Sequence, residues 1–99
     1  MSAVKDIVYI QQHARSKAAL YEQLAEECAE LGHAALKYAR VLRKENPTPV
    51  TGAEALRRIV EEYSDLALVA RMLGIVADDE IMCDKARRWA ERIREVNGE

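Results

Sequence analysis

Phenylalanine is missing from this chain of 99 residues, and aromatic side chains together make up only 5% of it. Proline occurs twice, and both copies sit in one stretch, "NPTPV" at residues 46–50. No apolar/polar alternation of period two runs through the chain, so no strand is expected. No low-complexity tract appears. No apolar run approaches the roughly 18 residues that a membrane helix needs, so no membrane partner is expected. The net charge of −2 supplies no bulk attraction to nucleic acid or to an anionic surface. At the N-terminus, "MSAVKDIVYIQQHARSK" lacks a signal-peptide layout, because Asp6 and its polar neighbours break the short apolar patch. A cytoplasmic location is the expectation. In that compartment the two cysteines, Cys28 and Cys83, are expected to be reduced, buried thiols and not a disulfide.

What the chain does have is helix-forming material. Apolar residues make up 49% and charged residues 32%, and Ala, Leu, Glu and Arg dominate. That is the composition of a soluble helical domain. The length fits one domain over residues 1–99, with a core modest enough that a partner subunit would help. The two prolines cannot continue a helix. Thr51 follows as an N-cap with Glu54 three residues on, a capping-box pattern. Gly74 marks a helix end, and Asp78 and Asp79 sit where the next helix begins. The reading is a long helix ending near Glu45, a second over about 52–73 and a third over about 78–96. Residues 3–14 are helical too, with no Gly or Pro to show whether they join the long helix. The expected fold is all-α: an antiparallel, four-helix, bundle-like arrangement, completed by oligomerisation.

One phrase occurs twice: "EECAEL" at 26–31 and "EEYSDL" at 61–66. At about 100° per residue, Leu20, Leu24, Cys28, Leu31, Ala35, Tyr38 and Leu42 form one apolar stripe. With Leu24 at zero, Glu27 falls at about −60° and Glu30 at about −120°. In the next helix the stripe is Leu56, Ile59, Tyr63, Leu66, Ala70 and Leu73. With Ile59 at zero, Glu62 falls at about −60° and Asp65 at about −120°. Glu26 and Glu61 point away. An antiparallel pair with its turn near residue 46 would bring both acidic pairs to similar heights. None of the four carboxylates has a Lys or Arg at i+4. Four close carboxylates must either protonate or bind a cation, and oxygen-only ligands suit Mg²⁺ or Mn²⁺. The plain alternative is a solvated acidic face, as most helical Glu pairs are.

Glu27-Cys-Ala-Glu30 and Glu62-Tyr-Ser-Asp65 resemble the ExxE…ExxD signature of the MazG-like all-α nucleoside triphosphate pyrophosphohydrolases. The likeness covers roughly residues 20–92. "DKARRW" is similar to the family's basic helix, with Lys85 and Arg88 in the phosphate-binding places. The segment between Glu30 and Glu62 is longer than the family's usual spacing, and Ala86 stands where an aromatic is often found. The resemblance implies a Mg²⁺-dependent reaction in which an NTP or dNTP and water give the monophosphate and pyrophosphate. It implies that Glu27, Glu30, Glu62 and Asp65 hold metal and that Glu27 or Glu30 orients the attacking water. It also implies that Lys85 and Arg88 hold phosphate oxygens. The family is typically oligomeric, so a homodimer or homotetramer is expected.

Other residues have plainer roles. Leu68, Val69 and Met72 lie off the main stripe, either as an interface patch or covered by the N-terminal segment or the last helix. Trp89, Tyr38 and Tyr63 read as core. A di-iron bundle needs two Glu-x-x-His motifs; Glu30-Leu-Gly-His33 supplies one, and Leu68 stands where the second histidine is needed. His33 reads as a surface residue. The remaining alternatives to an active hydrolase are a non-enzymatic helical interaction module and a nucleotide-binding but inactive relative.

Overall fold

The computed structural model describes residues 3–13, 16–45 and 50–99. Within them the chain forms four α-helices and no strand: α1 (Val4–His13), α2 (Lys17–Arg43), α3 (Gly52–Met72) and α4 (Asp79–Val96). The all-α expectation holds, and so do the helix boundaries to within a residue or two. The proline-bearing turn lies largely outside the described residues, since 46–49 are not among them.

Each long helix starts on a side-chain cap. Ser16 is extended (φ −167°, ψ 163°), and its hydroxyl accepts a hydrogen bond from the Ala19 amide at 3.0 Å. A serine there satisfies a donor that the first helical turn leaves orphaned. This cap makes α1 and α2 separate helices, a boundary that no Gly or Pro announced. Thr51 accepts from the Glu54 amide at 3.1 Å, and Asp78 accepts from the Ile81 amide at 3.0 Å. Gly74 follows α3 with φ +72°, a left-handed conformation that costs glycine little and a β-carbon more.

The centre of the molecule is the antiparallel α2–α3 hairpin. Val41 lies beside Gly52, while Leu20 lines the same hollow as Leu73, so rising numbers on one helix meet falling numbers on the other. Ala34 and Ala55 are buried in the seam, where small side chains let the two helices approach closely. α1 packs on the C-terminal end of α3. Ile7 and Met72 are buried, and the Gln11 side-chain amide donates to the Met72 carbonyl at 2.9 Å. Among the described residues α4 makes no packing contact with the other helices, and none of its residues is buried. The radius of gyration is 17.7 Å, against about 13 Å for a compact domain of this length. One chain alone therefore does not close a four-helix bundle. No helix among the described residues is long and apolar enough to cross a membrane.

Several expected positions move. The packed face of each hairpin helix is turned by roughly 60° from the apolar stripe read in the sequence. Leu42, Leu56 and Tyr63 are consequently exposed, Tyr63 by 61%. Tyr38 stays half-buried. Cys28 and Cys83 are free, as expected, but exposed and not buried. Trp89, expected in the core, is 64% exposed because no other helix among the described residues packs on α4. Val69 and Met72 are buried, Met72 beneath α1, while Leu68 stays 40% exposed, so the three do not form one open patch. The small seam residues set the fold's tolerance. Ala55→Leu should cost about 1–3 kcal/mol by overpacking, whereas Ala29→Leu, on the outward side of α2, should stay within about 0.5 kcal/mol. Urea unfolding of the two variants checks this.

Candidate functional site

The register of the hairpin places the two acidic phrases side by side. Glu27 from α2 and Glu62 and Asp65 from α3 each present an oxygen, and the three oxygens lie within 4.8 Å of one another. Glu27 is half-buried, Glu62 is 5% exposed and Asp65 is open to solvent. The cluster thus runs from the seam outward to water. Glu30 is exposed and stands outside this trio. It lines an adjoining cleft between α2 and α3 with His33, Lys37, Glu54 and Arg58.

The neutralising partner that seemed absent is Arg58. Its Nε lies 2.9 Å from Oε1 of Glu62, and the same guanidinium approaches Glu61 at 3.8 Å. Arg58 precedes Glu62 by four residues, so a search at i+4 alone passes over it. The Gln23 side-chain amide donates to Glu27 at 2.7 Å, from the same i−4 position. Each half of the trio therefore has a local donor one turn earlier. Arg58, Lys37 and Gln23 are the neighbours that sequence reasoning missed; the i, i+4 pattern read toward the N-terminus finds Arg58 and Gln23.

Lys85 and Arg88 sit on exposed turns of α4. Because α4 does not pack on α2 or α3, the fold of one chain does not bring them to the carboxylates. His33 is exposed at the rim of the cleft, as its surface reading anticipated.

The donor set suits a small hard cation. Opposite oxygens around Mg²⁺ stand about 4.2 Å apart, given a metal–oxygen distance of about 2.1 Å. Only one pair of a trio can stand opposite, and adjacent oxygens around Mg²⁺ lie about 3.0 Å apart, so three oxygens within 4.8 Å of one another would have to draw together to share one ion. The ion pair with Arg58 does not exhaust Glu62, since a carboxylate offers about four lone-pair directions. Exposed Asp65 also leaves the cluster open to a ligand from solvent.

Comparison with protein-family models, with curated proteins and with solved structures finds no match.

The buried end of the cluster depends on Arg58. Arg58→Met should destabilise the chain by about 1–3 kcal/mol, the cost of leaving a buried acceptor without its donor. Adding Glu62→Gln should recover part of that loss. A double-mutant cycle by urea unfolding measures the coupling, and a coupling of zero would show that Arg58 contributes only its own packing.

Proposed function

We propose that this chain is a Mg²⁺-dependent nucleoside triphosphate pyrophosphohydrolase, with Mn²⁺ as the substitute cation. One observation carries the reading: three carboxylates from two facing helices bring oxygens within 4.8 Å at the positions of the doubled acidic phrase. A divalent cation bound there would neutralise phosphate charge and make a bound water more acidic. Glu27, Glu62 and Asp65 would hold it, with Glu30 joining from the edge of the cleft. Glu27 or Glu30 accepts the proton of the attacking water, the first being half-buried and the second solvent-facing. The water oxygen bonds to the α-phosphorus, the bond from that phosphorus to the α–β bridging oxygen breaks, and pyrophosphate leaves. Lys85 and Arg88, in this reading, hold phosphate oxygens once α4 is packed in an oligomeric bundle. Arg58 and Lys37 are further cations beside the same cleft.

The second reading is an interaction module without catalysis, or a relative that binds nucleotide and leaves it intact. The Arg58–Glu62 pair favours it, because a buried carboxylate already neutralised by the protein needs no metal.

Pyrophosphate release from a panel of NTPs and dNTPs, with Mg²⁺ and with EDTA, separates the two. The hydrolase reading expects release only with metal, lowered by about 100-fold or more in Glu30→Gln or Glu62→Gln. It also expects Mg²⁺ to raise the melting temperature, with about 2.7 kcal/mol of added stability at a hundred times its dissociation constant. Absence of both release and thermal shift in a folded protein would sink this reading and leave the interaction module.

A further inference from the structure

Beside the acidic trio lies a cleft that the metal chemistry leaves unused. It opens between α2 and α3 and has a volume of about 390 Å³, inside the range of roughly 300–1,000 Å³ of small-molecule sites. Its floor is Ala34 and Ala55, both buried, with half-buried Val50 beside them. Small apolar side chains there leave a surface on which a planar ring can lie. Glu30 lines the cleft and stands one turn from Glu27, so the cleft begins where the trio ends. From Glu30 to Lys37 it follows α2 for about 10 Å.

Lys37 reaches the cleft from α2 and Glu54 from α3. Val41 lies beside Gly52 in the antiparallel register, which puts Lys37 and Glu54 within about 3 Å of the same height. Lys37 is half-buried. Yet among the described residues neither the Lys37 ammonium nor the Glu30 and Glu54 carboxylates make an ion pair or a hydrogen bond. Arg58, the other cation of the cleft, is held by Glu62 and Glu61. Opposite charges that line one hollow from two helices without pairing leave room for a group that carries both donors and acceptors.

That balance decides which part of a nucleotide enters. A polyphosphate would meet two carboxylates and one uncommitted cation, and like charges so close repel. A base is neutral, and its edge carries donors and acceptors in one plane. An ionised carboxylate only accepts and an ammonium only donates, so the pair complements such an edge. The common bases differ here. Guanine has two adjacent N–H donors, at N1 and N2, and two adjacent acceptors, O6 and N7. The donors match the two oxygens of one carboxylate, and the acceptors match a lysine. Adenine and cytosine set a bare ring nitrogen next to their amine, so a carboxylate would face a lone pair. Uracil and thymine offer a single N–H between two carbonyls.

We infer that the cleft is the base site of the nucleotide and that it selects guanine, with Glu54 accepting from N1 and N2 and Lys37 donating to O6 and N7. The substrate class is then a guanine nucleoside triphosphate. The inference rests on the hydrolase reading for the placing of the phosphates at the trio; the choice of base rests on the cleft alone.

Titration calorimetry with GMP, AMP, CMP and UMP tests the base site without turnover. GMP should bind about tenfold or more tightly than the other three. Glu54→Gln replaces a two-oxygen acceptor by one acceptor and one donor, the complement of adenine's amine and ring nitrogen. It should weaken GMP by about tenfold or more and strengthen AMP, a reversal that a loss of structure does not produce. Lys37→Met should weaken GMP by about tenfold with helix content unchanged. Pyrophosphate release from the four NTPs separates this inference from the hydrolase reading. Guanine preference in binding with no release from any nucleotide would retain the base site and sink the hydrolase. Metal-dependent release from all four NTPs alike, with equal binding of the four monophosphates, would retain the hydrolase and overturn the base site. So would a preference for another base, no binding of any monophosphate, or a Glu54→Gln variant that keeps the preference for GMP.

Discussion

Glu62 occupies a place in the α2–α3 seam where a helix hairpin ordinarily puts an apolar side chain. A carboxylate so removed from water must be compensated, or it forces the helices apart. Arg58 compensates it from the same helix, reaching back over one turn with its own guanidinium still half in solvent. Glu27 faces the same seam from α2 and has Gln23 as its donor. The rotation of both helices about their axes follows from admitting these two carboxylates. Turning either helix to bury the apolar stripe more fully would carry its carboxylate out of the seam and away from the other.

That rotation leaves the hairpin with a charged side and an apolar side. Carboxylates, His33, Lys37 and Arg58 collect along one side, where charged groups keep access to water. Leu56, Val60 and Tyr63 turn to the other, where each stays about half exposed. The two sides need not compete for area.

The economy of a short chain explains the rest. A domain of this size buries a smaller share of its surface than a larger one does and is more marginal alone. Here the shortage is acute, because α4 contributes no buried residue and α1 touches only the end of α3. What stability one chain has comes from the hairpin seam and the α1 contact. The exposed stripe of α4, with Trp89 at its centre, represents stabilisation that is realised only when something packs on it.

Much of this was open to reading along the chain. Helix propensity, the caps Thr51 and Asp78 and the glycine at 74 are local, and each depends only on residues within one turn. They located the long helices and their ends without any knowledge of packing. The doubled acidic phrase, with its turn midway, likewise implied that two carboxylate pairs would meet, because antiparallel register is a matter of counting. Glu27, Glu62 and Asp65 do meet, while Glu30 stands aside in the cleft. The angle at which each helix is turned was not legible. Periodicity marks an apolar stripe, yet a stripe broad enough to include Leu56 and Tyr63 is satisfied by either of two neighbours, the other helix of the hairpin or a second molecule. Only the tertiary structure chose, by placing Ala34, Ala55 and Glu62 in the seam and leaving the larger side chains outside. It alone showed that α1 covers Met72 and that α4 stands free. Packing is settled by which surfaces reach each other across the chain, and no local pattern contains that information.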